Sequence, residues 1–330
     1  MNFARYRQRK VSRLSIALVA VLAMAGAAFG ADEWPARAIT IVVPYGAGGG
    51  PDVTARVLAD ALSLRLGQPV VVENHPGAGG LVGVDYAAAA KPDGYTLLLG
   101  TIDTQAILGH LHRGQKRDPA TAFTPISLLG RVENVIAASP HLEIASFPQL
   151  LEVAHQGRAF TFSTPGVGTS FHILGELIRV RENIQLTHVP YRVSSNGYAD
   201  VMAGRVDLVI SGLPPVLPLV TTGKLVPLAT TGAQRSKDLP ATPTLTEIDL
   251  KELALINWFG LLAPAGTPQS VVLLLSQTIA EIDKDDAYRK RMETNRVEPI
   301  HSTPQEFGAF IQSEYAHLGD VIERANIVVE

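Results

Sequence analysis

Short β-branched runs alternate with apolar residues at helical spacing along most of the chain. Ile39–Val43 (ITIVV) reads as a buried strand. It stops at Pro44 and gives way to Gly46, Gly48, Gly49 and Gly50, after which Pro51 stands at a first helical position. Val53, Val57, Leu58, Ala61, Leu62 and Leu66 then recur at helical spacing until Gly67. Pro69–Glu73 predicts a second strand, His75–Gly80 a second glycine loop, Leu81–Ala90 a helix of small residues and Tyr95–Leu99 a third strand. This is the element order of a parallel α/β sheet with right-handed crossovers. Ligands in such sheets bind beyond the carboxyl ends of the strands. That places Tyr45–Gly50, His75–Gly80 and Thr101–Thr104 on one rim.

The same order returns further along. Phe123–Leu129 and Val135–Ala138 predict two strands leaving the first unit, and residues 103–122 between are irregular. Ser146 and Gln149 have capping-box spacing ahead of Leu150, Leu151 and Val153. Phe160–Ser163 predicts a strand that runs into the hydroxyl-rich glycine loop Thr164–Ser170. Phe171, Leu174, Leu177 and Ile178 then mark one side of a helix. Further strands are expected to end near His188–Arg192 and to cover Val206–Ser211 and Leu225–Thr230, with a short helix over Tyr198–Ala203. Arg235–Thr246 reads as a surface connection, and the apolar Trp258–Pro264 as a strand crossing back to the first unit. Thr267 is expected to cap a helix that starts at Pro268. Thr303–Glu306 forms a capping box for a last amphipathic helix reaching about Ala325.

A strand, a glycine turn and a helix in that order aim the helix's unpaired N–H groups beyond the end of the strand, where they attract anions. The spacing argues against nucleotides. Counting G-x-G-x-x-G from Gly46 puts Pro51 at the third glycine, and no lysine occurs between Ile39 and Gly67, as a phosphate-binding loop would need. A tight βα turn without a ligand remains an alternative for this first loop alone. Ser163, Thr164, Thr169 and Ser170 add hydroxyls to the second loop, so two such helix starts suit a cleft that closes on a carboxylate.

Arg5, Arg7, Arg9, Lys10 and Arg13 precede the apolar run Leu14–Ala28, and Ala28-Phe29-Gly30 offers small residues for cleavage after Gly30. Residues 1–30 therefore read as a secretory signal peptide, and the exported protein as periplasmic. These residues hold 5 of the 28 basic side chains and none of the 31 acidic ones, so their removal takes the formal charge from −3 to −8. Nucleic acid is an unsuitable partner for such a chain. Without cysteine there are no disulfides, and 46% hydrophobic residues must supply the core.

No catalytic or metal site emerges. His110 and His112 have no third ligand within two residues. Ser170 and His172, two apart on a helix, point about 200° from each other and form no dyad. His172 is expected to be a packed helix residue.

Several segments together resemble a known family. Val43–Arg56 (VPYGAGGGPDVTAR), Val70–Gly83 (VVVENHPGAGGLVG), Pro92–Leu98 (PDGYTLL), Ser163–His172, His188–Asp207 and Trp258–Pro268 follow in that order. They resemble the periplasmic solute receptors of tripartite tricarboxylate transporters, the Bug proteins. The resemblance implies a two-lobed α/β periplasmic binding protein fold of Venus-flytrap, type II-like form with crossing hinge strands. Lobe 1 is expected to comprise 31–132 and 255–330, and lobe 2 to comprise 133–254. It further implies a small mono- or dicarboxylate ligand, no cofactor, no catalysis, and permease subunits or a sensor protein as membrane partner. By position the ligand loop of lobe 1 is Tyr45, Gly46, Ala47 and Gly48, with Thr101 on the same rim. The lobe 2 cradle is Ser163, Gly166, Gly168, Thr169 and Ser170, with Tyr191 bordering the pocket. The chain departs from the family at Val193 and Asn196, where glycine and proline are usual, and at Tyr45 and Gly46, which replace phenylalanine and proline.

Overall fold

Five consecutive β-branched residues form β1 (Ile39–Val43), four of them buried. The computed structural model describes residues 34–111, 121–324 and 327; the predicted signal peptide and His112 lie outside them. Residues 34–37 hold neither strand nor helix, and all further elements belong to the unit Ala38–Glu330. Pro44 ends β1, and α1 (Gly50–Leu66) follows, stopped by Gly67 in the left-handed conformation with φ 66°. β2 (Val70–Asn74), α2 (Leu81–Ala88) and β3 (Thr96–Thr101) complete the expected unit, with β2 and β3 parallel to β1 on either side. The segment expected to be irregular instead begins with a widened helical turn, Asp103–Ile107, and a helical turn at Leu108–Leu111.

β4 (Phe123–Val132) belongs to the first sheet, and after Glu133 alone the chain continues as β5 (Asn134–Ala138) in a second sheet. There follow α3 (Phe147–His155), β6 (Phe160–Thr164), α4 (Ser170–Glu182), β7 (Leu186–Pro190), α5 (Ser194–Met202), β8 (Leu208–Gly212), α6 (Leu213–Thr221) and β9 (Val226–Thr230). β10 (Asn257–Pro264) returns to the first sheet. α7 (Gln269–Ile282), α8 (Asp286–Thr294), β11 (Glu298–Pro299) and α9 (Pro304–Arg324) cover that sheet's side of the molecule. The strand orders are β11-β4-β10-β3-β1-β2 and β7-β6-β8-β5-β9. β6 repeats the position of β1, lying between parallel partners β7 and β8.

The two crossings are tied together. Asn134, fully buried, donates Nδ2–H to the Leu255 carbonyl at 2.8 Å, and its backbone N–H bonds Thr231 Oγ1 at 3.0 Å. The capping box of Thr303 and Glu306 forms in full, whereas at Ser146 only half does: Ser146 Oγ accepts from Gln149 N–H, but Gln149 Oε1 accepts from Ala145 N–H.

Two further expectations fail, and one helix has no counterpart among them. Thr267 does not cap α7; its hydroxyl donates to the Pro264 carbonyl, and the helix starts at Gln269 after Pro268. Arg235–Thr246 is not a surface connection throughout, because Ser236, Leu239, Thr242, Thr244 and Leu245 are buried and Thr244 bridges Thr230 beside β9. α8 was not expected at all, since its nine residues bury only Tyr288 and Met292.

β10 runs through the core, with Trp258 set edge-on to Phe307 at 5.6 Å. Phe307 fills the space over Gly260, where a Cβ would overlap its ring. Gly260→Ala is therefore expected to cost about 1–3 kcal/mol in urea unfolding. The cost should shrink in a Phe307→Leu background, where the shorter side chain vacates that space; equal costs in both backgrounds would show that the contact is not what constrains the glycine.

Candidate functional site

The parallel neighbours of β1 and β6 bring the loop after β1 and the loop after β6 to the carboxyl ends of their sheets. Gly46–Gly50 is exposed. Its shape is set by Asp52, which is 3% exposed and collects four donors. Oδ2 accepts from Gly48 N–H at 2.9 Å and Arg56 Nε at 3.0 Å; Oδ1 accepts from Arg56 Nη2 and Asn74 Nδ2, both at 2.9 Å. Burial alone would raise the Asp52 pKa, but these hydrogen bonds, Arg56 foremost, hold it below the usual carboxylate value. Gly48 has φ 84°, a conformation that suits glycine. Asn74 also donates to the Tyr45 carbonyl at 3.0 Å. The first N–H groups of α1, at Gly49, Gly50 and Asp52, have no partner within the helix, whereas Val53 N–H already bonds Gly49 O.

In the second loop Thr169 is the cap of α4: its hydroxyl accepts from His172 N–H and donates to the Gly166 carbonyl at 2.9 Å. Gly168 N–H donates to His172 Nδ1 at 3.3 Å. Ser170 stands at the first helical position with its N–H free of the helix, and that N–H donates to Asp103 Oδ1 at 2.8 Å. The Ser170 hydroxyl donates to Asn257 Oδ1, also at 2.8 Å, on the returning strand β10. Tyr45 closes the arrangement from the first loop, with its hydroxyl 2.9 Å from Thr101 Oγ1 and 3.5 Å from Asp103 Oδ2. Burial, then the charge of Asp103, pushes the Tyr45 pKa well up, so the hydroxyl stays a neutral donor.

The structure thus brings Tyr45, Thr101 and Ser170 together around Asp103. The hydroxyls of Ser163, Thr169 and Ser170 are engaged within the protein, the first with the Leu208 carbonyl at 3.3 Å. The first loop exposes Gly46–Gly50. In the second, Val167 is exposed while Gly166 and Gly168 are half-buried, and the N–H groups of Gly48, Gly166 and Gly168 are held by Asp52, Thr164 Oγ1 and His172. Tyr191 lies against Gly197 near Ser163, but its hydroxyl donates to Asp200. Asp103 and Asn257 were not singled out from sequence. Asp103 falls inside the rim segment Thr101–Thr104, so its place was available, but only the 67-residue contact to Ser170 reveals its part.

Behind the second loop, His172 is buried and stacks on His188 at 4.2 Å between ring centres; His188 Nε2 lies 2.6 Å from Thr164 Oγ1. Burial lowers both pKa values; His188, with His172 adding to the effect, is pushed down to about 3. His110 is structural, its Nε2 lying 2.8 Å from the Tyr315 carbonyl. Among the described residues no His, Cys, Asp and Glu group of three or more is placed to hold a metal, and no helix is long and apolar enough to cross a membrane. A cavity of about 540 Å³, lined by Arg131, Leu255, Trp258, Phe310 and Glu314 among others, shares no residue with the two loops.

Two mixed α/β sheets, joined by crossing strands and each carrying a glycine loop and helix start at its carboxyl end, define the two-lobed periplasmic binding protein fold. Residues 54–327 match the tripartite tricarboxylate transporter family receptor, and the chain belongs to that family of solute receptors. It is 33% identical over 317 residues to the protein BugT of Bordetella pertussis, spanning 94% of this chain and 97% of that one. Among solved structures, an R. palustris protein with adipate superposes with a TM-score of 0.82 at 33% identity, covering 90% of this chain and 99% of that one. The periplasmic binding protein BugD does so with a TM-score of 0.80 at 28% identity, covering 90% and 100%.

Two outcomes follow from the loop geometry. Asp52→Ala should lower stability by about 2–3 kcal/mol above pH 4. Because the folded-state pKa of Asp52 is depressed, the gap to the parent should be full above the unfolded value near 3.9 and close as the pH falls through the folded value. A pH-independent gap would mean that lost packing, not the carboxylate, sets the cost. The histidine pair works in the opposite charge sense: neutral when folded, it should cost stability as the pH drops below about 6.5, where the unfolded chain takes up protons. NMR titration should find the His188 ring neutral at pH 5, and a midpoint near 6.5 would contradict its enclosure.

Proposed function

We propose that the protein is a periplasmic receptor that captures a small organic acid as its carboxylate, without altering it, for the permease subunits of a tripartite tricarboxylate transporter. One observation carries the reading: the free N–H at the start of α4 already holds a carboxylate oxygen, that of Asp103, at 2.8 Å, and the first loop reaches the same group through Tyr45. The start of α1 offers further unpaired N–H groups of the same kind. The adipate held by the R. palustris protein supports the ligand class. In this reading residues 31–132 with 255–330 form one lobe and 133–254 the other. The exposed backbone of Gly46, Ala47 and the start of α1 contributes more than the N–H groups of Gly48, Gly166 and Gly168 or the hydroxyls of Ser163, Thr169 and Ser170, which are engaged within the protein. Thr101 and Tyr191 act through their neighbours, Tyr45 and the wall at Gly197. The basic and apolar residues 1–30 serve as the export signal.

The test begins with expression of the full chain, recovery from the periplasmic fraction and N-terminal sequencing, which should find Ala31 first. Thermal shift against mono-, di- and tricarboxylates, sugars and metal cations follows. A ligand at 100 times its dissociation constant should stabilise by about 2.7 kcal/mol, with the effect confined to carboxylates and the acid recovered unchanged. Stabilisation by sugars or cations alone would sink the carboxylate reading, and recovery of an altered acid would identify an enzyme.

A further inference from the structure

The cavity apart from the two glycine loops lies where the chain passes between the sheets. Arg131 stands near the end of β4, just before the first passage. Ala254, Leu255 and Ile256 belong to the stretch that brings the chain back, and Trp258 to β10. Phe310 and Glu314 come from α9. Leu255 is also the residue whose carbonyl accepts from Asn134. The volume, about 540 Å³, falls in the range of about 300–1,000 Å³ in which small-molecule sites lie.

The lining joins an apolar, partly aromatic wall to charges that are unevenly spent. The Glu252 carboxylate is taken by the Arg181 guanidinium at 2.6 Å. Arg131 and Lys251 have no such partner: with the described residues neither side chain makes an ion pair or a hydrogen bond. Arg131, half-buried, instead lies over the Phe310 ring at 5.6 Å. Glu314 opposes these cations. Burial raises its pKa, and the Trp258 indole, His317 and Arg131 offset that only in part. The indole N–H, wholly buried beside it, has no acceptor within hydrogen-bonding distance. Around this apolar space, donors and positive charge therefore outweigh acceptors.

We propose that this cavity is a second binding site, for an organic acid with an aromatic body: the carboxylate meets Arg131 and Lys251, and the ring packs on Phe310, Leu255 and Ile256. It differs in kind from the cleft. There exposed backbone N–H groups suit a small acid, whereas here apolar area adds to the hold and a guanidinium fork receives the charge.

Trp258 reports occupancy directly, because the chain has two tryptophans and Trp34→Phe leaves Trp258 alone. In that background, fluorescence titration compares 3-phenylpropionate, 3-phenylpropanamide and 3-phenylpropylamine, which share a ring and differ in charge. The acid should change the emission saturably and bind about tenfold or more tighter than the amide or the amine. Arg131→Gln should remove that preference with the thermal midpoint close to the parent's, while Arg131→Lys, which keeps the charge, should leave the acid ahead. A crystal grown with 3-(4-bromophenyl)propionate should place the anomalous signal of bromine against Phe310. The proposal would be overturned by the absence of a saturable response, or by equal or tighter binding of the amide or amine. A preference that survives Arg131→Gln, or is lost equally in Arg131→Lys, would overturn it too, as would bromine lodged only between the glycine loops.

Discussion

The arrangement depends on a topological constraint. β1 and β6 each lie between two parallel strands, so the crossovers on either side leave in opposite directions and the carboxyl end of the central strand is left uncovered. The chain has to leave that end through a short turn into a helix, and the helix must begin with N–H groups it cannot itself satisfy. Both glycine loops are solutions to that one problem. The tied crossings at Asn134 and Leu255 keep the two solutions on connected sheets.

How the loops are held differs between the sheets. The first is fixed electrostatically, by one buried carboxylate that gathers a guanidinium, an amide and a backbone N–H. The second is fixed by neutral groups: a threonine cap, a histidine that accepts from Gly168, and a stacked histidine partner behind it. A neutral imidazole suits that place, since its lone pair must face an N–H. In both, side chains settle their hydrogen bonds on the loop's own backbone, so the N–H groups of Gly48, Gly166 and Gly168 serve the shape of the loop.

Much of this was legible from sequence because it is local. β1 is β-branched throughout, Pro51 and Gly67 bracket α1, and the capping pairs at Ser146 and Thr303 are three residues apart. What escaped is set by distant partners. Ser170 Oγ, expected in the cradle of the second loop, finds Asn257, 87 residues on, on the returning strand β10. The widened turn at Asp103–Ile107 begins where Thr104 bonds back to Thr101, and no periodicity announces it. α8 is too polar to signal itself, and Arg235–Thr246 looks like a surface stretch until its buried threonines are seen packed beside β9.

Splitting the strands between two open sheets has a consequence for the protein in company. It creates four sheet edges, at β2, β11, β7 and β9, each a row of backbone groups that another chain's strand could extend. Proline stands at every one. Pro190 ends β7, Pro227 lies within β9, Pro299 ends β11, and Pro69 immediately precedes β2. A proline lacks the N–H that pairing needs, and the Thr230 end of β9 is in addition bridged by Thr244. The edges that the open architecture requires are thereby made poor templates for one another.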